Sequence, residues 1–505
     1  MPDDIFELKK IILERESAIL GKENLIKSMK MENEILREQI SFFKALKFAP
    51  KTEKLSKEQM LLFNEAESLA QESDPEEEKI TIKEHARAPR GKRKPISQSL
   101  PREEVIIDLP EKEKTCAYDG ASLKLIGEEV SEKLEIIPAK IKVIRTIRKK
   151  YACPSCDNSL KTAPLPPTIF PKSLATPSLL SFIVTSKFVD GIPLYRMEKV
   201  MERFGIDLGR TTMSRWMVEI AEKLSPLKQI LREELLDSPY IHCDETTIQV
   251  LKEKDRLPSS KSYMWVQCRS GENPIILFDY FPGRSGDIPI KLLEGFKGYL
   301  QADGYGGYNK ICSLDGVTRL GCMAHCRRRF FKAFKYTKNK NIGSKGLSFI
   351  QKLYKIEEKS KNLNPTERFE IRIKEASPIL AEFKTWMEEM TGKIAESGYA
   401  GQAIHYALGE WENLNAYLKD GMLEIDNNVI ERAIRPFTIG RKNWMFADTP
   451  GGAHASALWY SLIETAKLNQ VEPFAYLHKV LEKLPLAETL EDFMELLPFK
   501  LNLKN

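Results

Sequence analysis

The chain has 505 residues, 42% hydrophobic and 30% charged, which at ~150 residues per domain means roughly three to four folded units, each able to bury a core. That excludes a disordered chain, a mini-protein and a collagen-like repeat; no apolar run approaches the ~18 to 20 residues of a membrane span, and the charged N-terminus lacks a signal core, so a soluble, cytoplasmic protein is expected. Lys plus Arg exceed Asp plus Glu by 78 to 72, a net charge of +6 that permits a nucleic-acid partner without requiring one.

Residues 1–48 open the chain with a heptad. Ile5, Ile12, Ile19, Ile26, Asn33 and Ile40 recur at one core position, and Leu8, Met29, Leu36 and Phe43 at the other, interrupted by Arg15 and Lys22. β-branched residues at a with one buried Asn favour a parallel two-stranded coil, so a dimerisation helix is expected; the alternative is an amphipathic helix packed on its own chain. Residues 49–107 read as a helical and basic linker. Its acidic run, Glu72 to Glu78, gives way to Arg87 to Pro95, where Pro, Gly and like charges cannot pack a core. Arg90-Gly91-Lys92-Arg93 suits either a narrow minor groove or a solubilising tether.

A small module is expected at 108–165. Cys153 and Cys156 have the spacing of one edge of a tetrahedral zinc site, and the other edge would be Cys116 with Asp119. In a large chain of this kind a metal site is more plausible than disulfide stapling. The alternation ahead of Cys153 suggests two short strands; a knuckle that has lost its metal is the alternative. Residues 175–226 have a helix-turn-helix cadence: a helix over 193–204, a turn over 205–209 and a second helix over 210–224. Its N-terminus would present Arg210, Thr212, Met213 and Arg215 to a major groove.

Residues 236–455 change character. Strands are predicted over 240–250, 262–269, 274–281, 298–303 and 317–322, with helices after the third, fourth and fifth, the last of these over 324–334. Three consecutive strands followed by helix-strand alternation is an α/β layout of the ribonuclease H type. A wholly helical insertion is expected at about 340–422, then a helix over 428–435, a Gly-rich turn at Pro450-Gly451-Gly452, and a helical C-terminal domain at 456–505. The expected fold class is thus multidomain α and α/β: coiled coil, zinc-finger-like β module, helix-turn-helix, ribonuclease H-like core with a helical insertion, and a short helical end.

Three acids draw attention: Asp244 in HCDETT, Asp303 in YLQADGYGGYN and Glu431 in DNNVIERAIRPFTIGRKNWMF. Acids within a half-buried sheet need compensation for their desolvated charge, and two divalent ions held by about three converging carboxylates supply it in phosphoryl transfer. Each also has an ordinary reading, as an exposed strand residue, a turn former before Gly304, or a capping-box glutamate after Asn428. Cations surround them: Arg432, Arg435, Arg441 and Lys442 beside Glu431, and Arg327, Arg328, Arg329, Lys332 and Lys335 after His325, as a DNA backbone would require. His325 with Cys322 and Cys326 lacks a fourth ligand for zinc and reads as local structure or a phosphate contact. Trp444 and Phe446 fit either a core or a base stack.

HCDETTIQV, LQADGYGGYN, GCMAHCRRRFFKA, DNNVIERAIRPFTIGRKNWMF and SALWYSLIETAKLNQVEPFAYLHKVLEKLP together resemble the transposases of the insertion sequence 66 family, over nearly the whole chain and in order. The resemblance implies a DDE transposase in which Asp244, Asp303 and Glu431 match the acidic triad and hold two Mg²⁺, with Mn²⁺ as a substitute. Glu464 is the reserve third acid. It implies double-stranded DNA as partner, both element ends and target, a homodimer or higher oligomer, and small accessory proteins of the same element, at the nucleoid. Asp119 stands where the family pattern has cysteine, which bears on Zn²⁺ binding. A decayed transposase acting as a repressor and a structure-selective nuclease are the competing readings.

Overall fold

A computed structural model describes residues 5–48, 141–152, 160–171, 173–337 and 341–501. The chain forms two compact units, 1–66 with 148–505 and 67–147; of the second, only 141–147 are described and they carry no regular structure. The expected first helix is present as α1 (Ile5–Phe48), ~66 Å long at 1.5 Å per residue. Its heptad residues Ile12, Ile19, Ile26, Met29, Leu36 and Ile40 are exposed, and Glu38 accepts a 2.9 Å hydrogen bond from the Tyr399 amide. In the small module, β1 (Lys150–Ala152) pairs antiparallel with β2 (Leu160–Thr162). The second strand therefore follows the Cys153 pair, where the sequence pattern put both strands ahead of it. Cys116, Asp119, Cys153, Cys156 and the basic linker lie outside the described residues.

α2 (Pro177–Phe188) begins at Thr176, whose side chain accepts from the Leu179 amide, with Pro177 at the first position, a pairing that costs the helix no hydrogen bond. α3 (Leu194–Arg203) and α4 (Arg210–Lys223) follow, joined by a turn in which Gly205 takes φ +75°. The two helices match the predicted pair. Arg210 and Arg215 are exposed and Thr212 half-buried, but Met213 is fully buried: it faces the core with Trp216, Met217 and Ile220 at the 3–4 residue spacing of one helical face and is not presented to a groove. α5 (Ser225–Leu236) leads into the sheet.

The five predicted strands form one mixed sheet from β3 (Tyr240–Gln249), β4 (Lys261–Arg269), β5 (Ile275–Phe281), β6 (Gly298–Gln301) and β7 (Val317–Leu320), in the order β5-β4-β3-β6-β7. The first three are antiparallel hairpin neighbours; β6 and β7 run parallel to β3. The parallel strands need crossovers, supplied by α6 (Asp287–Leu292) and α7 (Asn309–Cys312). Gly298 opens β6 at φ +147°, where a Cβ would stand 2.4 Å from the Pro239 carbonyl oxygen, so only glycine fits.

α8 (Met323–Tyr336) follows β7 and starts the insertion, with α9 (Asn341–Ser360), α10 (Pro365–Ile371), α11 (Ser377–Met390), α12 (Tyr399–Gly409) and α13 (Trp411–Asn415). The insertion has its own core, where Phe330, Phe349, Phe383, Trp386 and Trp411 meet at ring distances of 5.0 to 6.2 Å. Arg372, in a π-helical turn between α10 and α11, is fully buried in it.

α14 (Asn428–Trp444) extends well beyond the expected stop at 435. Pro436 removes one backbone donor, but Ile430, Ala433, Ile434, Phe437 and Gly440 keep a continuous buried stripe. The Pro450-Gly451-Gly452 segment is not a turn but the first turn of α15 (Pro450–Leu468), capped by Thr449. α16 (Pro473–Lys483) and α17 (Leu490–Met494) end the fold. α15 closes the edge strand β5: Ser461 Oγ accepts from the Phe278 amide at 2.8 Å and Thr465 Oγ1 from the Ile276 amide at 3.1 Å. Its Trp459 indole donates to the Met217 carbonyl of α4 at 3.1 Å. Sheet, helix-turn-helix and C-terminal helices share one hydrophobic core. Among the described residues no helix is long and apolar enough to cross a membrane.

Asp426, just before α14, receives the Tyr354 hydroxyl at 2.7 Å and both Asn428 donors. Burial outweighs these bonds and pushes its carboxyl up to about 6 from 3.8. Between pH 4 and 6 the folded chain therefore holds a proton that the unfolded chain has lost, and stability falls as pH rises across that window. Asp426→Asn, which does not titrate, should flatten that part of the pH curve; thermal melts from pH 4 to 8 test this, and an unchanged slope would refute the assignment.

Candidate active site

The β3–β6 ladder ends where His242 pairs with Gln301. Asp244 lies two residues further along β3 and Asp303 two residues past the end of β6, near enough for the Asp303 charge to act on Asp244. Asp244 Oδ1 accepts from the Glu245 amide at 2.8 Å; Asp303 accepts from the Tyr305 amide at 3.0 Å, and its carbonyl receives Arg319. Burial holds the Asp244 carboxyl well above the usual range, and the charges of Glu245, Asp303 and Glu431 add to the effect. Two of the sequence-predicted acids, Asp303 and Glu431, thus act electrostatically on the third.

Glu431 lies in the first turn of α14, which packs on β3. The helix is capped at Asn427, and no side-chain capping bond is made there, so Glu431 is not a capping-box residue. Its carboxylate, one-third exposed, accepts from Arg328 at 3.2 and 3.5 Å and stands 4.0 Å from His325 Nδ1. Burial and then Arg328 lower the His325 pKa, against the pull of Asp303 and Glu431. Glu464 sits elsewhere, buried on α15 and paired with Lys467 at 2.9 Å.

The side chain of Glu245, next to Asp244 on β3, is buried and fully engaged. Arg284 pairs with its Oε1, and the Tyr308 hydroxyl donates to Oε2 at 2.7 Å. Arg284 in turn lies 3.6 Å from the centroid of the Tyr305 ring. The aromatic residues of GYGGYN, unassigned by the sequence reading, therefore tie the Asp303 loop to β3.

The predicted DNA contacts divide by exposure. Arg432, Arg435 and Lys442 are exposed along one face of α14, opposite its buried stripe. Arg441 instead donates to the Thr247 carbonyl and its Oγ1 and to Thr246 Oγ1, bracing the end of β3. Arg327 is half-buried, and Arg329 stacks over Tyr406 at 4.1 Å. Trp444 packs beneath Lys187 and Phe188, whereas Phe446 is exposed. Cys322 Sγ accepts the Asn427 amide at 3.2 Å, and among the described residues no group of three His, Cys, Asp or Glu side chains is arranged to hold a metal. The donor chemistry nevertheless fits a hard divalent cation: carboxylate oxygens whose mutual repulsion a cation would relieve, with Glu431 turned aside onto Arg328.

Comparison with known sequences shows the family of the chain. The profile described as "Transposase IS66 family" matches residues 172–455; "zinc-finger binding domain of transposase IS66" matches 113–157, "IS66 C-terminal element" 461–499 and "Transposase C of IS166 homeodomain" 35–105. Two uncharacterized proteins of Sinorhizobium fredii are similar along their lengths. y4qI is 31% identical over 99% of this chain and 97% of its own, and y4jD 33% identical over 80% and 81%. The long motifs around Asp244, Asp303 and Glu431 fall within the matched span, and the chain belongs to the IS66 transposase family.

Proposed function

We propose that this protein binds the terminal inverted repeats of an insertion sequence and catalyses metal-dependent strand cleavage and strand transfer on a ribonuclease H-like core spanning 236–455. The observation that supports this most is the gathering of acidic charge around the buried Asp244 carboxyl, from Glu245, Asp303 and Glu431, together with a face of exposed cations on α14. Asp244 and Asp303 would hold Mg²⁺, or Mn²⁺ in its place, and Glu431 a second ion once released from Arg328. When bound, such ions activate the attacking oxygen and stabilise the leaving one.

Arg210, Thr212 and Arg215 of α4 read the element end, while Arg432, Arg435 and Lys442 hold the backbone by charge; Arg327, Arg328 and Arg441 support them from the adjoining surfaces. Water attacks the phosphorus at the element's end, and the departing 3′ oxygen takes up a proton. The resulting 3′-hydroxyl then attacks a target phosphodiester, forming one bond as it breaks another, without a covalent protein intermediate. The module at 108–165 would bind Zn²⁺ through Cys116, Asp119, Cys153 and Cys156. α1 would pair two copies through its exposed heptad face, and accessory proteins of the element would join the complex.

The test combines the protein, labelled element ends, Mg²⁺ and a target plasmid. Joined products are expected. Cuts without joining would make it a nuclease, and a gel shift alone a DNA-binding repressor; either result overturns the proposal.

A further inference from the structure

Asn427 is buried to 1% exposure between three segments that carry site residues. It caps α14, and a cap asparagine ordinarily turns its side chain onto its own helix. Here the side chain makes no such bond and is spent on β3 instead. Nδ2 donates to the Cys243 carbonyl, one residue before Asp244, at 2.9 Å. That bond fixes the amide orientation, so Oδ1 is the atom 2.8 Å from His242 Nδ1, and the imidazole must carry its proton on Nδ1. The Asn427 amide donates to Cys322 Sγ at 3.2 Å, at the root of the helix carrying His325 and Arg328. Its carbonyl accepts from the Glu431 amide at 3.3 Å.

Three polar groups of this one residue, its amide N–H, Oδ1 and Nδ2, thus join parts of the site that are far apart in sequence, and its carbonyl starts the helix that carries Glu431. We propose that Asn427 and His242 are positioning residues: their buried bond fixes the first turn of α14, which carries Glu431, against the strand that carries Asp244. The inference rests on the reading of those two acids as catalytic. Both side chains are buried away from the surface. Their role is to hold two carboxylates at one separation, and a misplacement of about 1 Å at a reacting centre costs on the order of 100-fold in rate.

The test uses the full-length protein and a pair of substitutions that differ only in where a donor sits. Asn places its amide nitrogen where His has Nδ1, and Gln where His has Nε2. His242→Asn should cleave labelled element ends within ~5-fold of wild type, whereas His242→Gln and Asn427→Ala should lose ~100-fold in rate while binding the DNA normally. Calorimetry with Mn²⁺ alone, no DNA present, should show the same two variants weakened ~10-fold, as for groups that orient metal ligands. A role in packing alone predicts the reverse order, because Gln fills the imidazole volume better than Asn. Equal rates for His242→Asn and His242→Gln, or wild-type Mn²⁺ binding by Asn427→Ala, would overturn the proposal. Asp244→Asn runs alongside: if it cuts normally, the reading of the acids fails; if it is dead while His242→Gln is active, only the positioning role fails.

Discussion

Asp244→Asn should give a protein that melts at a higher temperature than wild type, binds element-end DNA at least as well, and cleaves it at least ~1000-fold more slowly, a loss of about 4 kcal/mol of transition-state stabilisation. All three effects have one cause. Burial and the neighbouring charges of Glu245, Asp303 and Glu431 make an ionised Asp244 costly to the fold. Asparagine has the same shape, and its Oδ1 can still accept from the Glu245 amide, so nothing is lost but the charge. Sites that hold repelling groups together surrender stability for function. Calorimetric melts, gel shifts and cleavage in Mg²⁺ measure the three separately. Undiminished cleavage would remove Asp244 from the mechanism; lost activity with a lowered melt would make it a structural residue.

Arg372→Ala should cost about 3–5 kcal/mol and unfold the helical insertion ahead of the sheet. The guanidinium pairs with Glu357 at 2.9 and 2.5 Å and donates to the carbonyls of Tyr417 at 3.2 Å, Asp420 at 3.0 Å and Leu423 at 2.8 Å. Removing it strands a largely buried carboxylate and three carbonyls at once. Arg372→Lys should fail nearly as badly, since one ammonium cannot span a planar fork of acceptors. Trp386 and Trp411 lie in the insertion core, so urea unfolding followed by tryptophan fluorescence should gain an early transition. A single transition at the wild-type midpoint would refute this. The effect should reach the site, because the Met323 amide bonds the Ile425 carbonyl and Tyr354 holds Asp426, both on the segment leading into α14.

Much of this fold was legible because its signals are local. The alternation of residues 240–281 and the helical pattern of 345–420 need only their own period to be read, and the strands and helices lie within a few residues of expectation. The misreadings share a cause: a local signal overridden by packing. Pro436 marks a helix end by rule, yet the stripe from Ile430 to Gly440 carries α14 past it. Pro450-Gly451-Gly452 has turn composition, but Thr449 caps a helix there. Met213 sits near the start of the second helix, but its helical face points into the core. Of the candidate site, the acids could be picked out by the cations around them and by the family motifs in which they stand. The burial of Glu245, the pairing of Glu431 with Arg328 and the bond between His242 and Asn427 could not, since each partner lies tens to nearly two hundred positions away.

The closure of β5 by Ser461 and Thr465 bears on what a shortened copy of this protein can do. A chain ending before Thr449 still encodes the helix-turn-helix, the five strands and all three acids. It lacks the hydroxyls that occupy the Ile276 and Phe278 amides and the indole that rests on Met217. Its sheet keeps an open edge, a template for pairing with other chains, and its helix-turn-helix loses its floor. Early termination should therefore yield insoluble material and not a DNA-bound competitor of the intact protein, so that damage to the last fifty-odd codons silences a copy without turning it into an inhibitor of its neighbours.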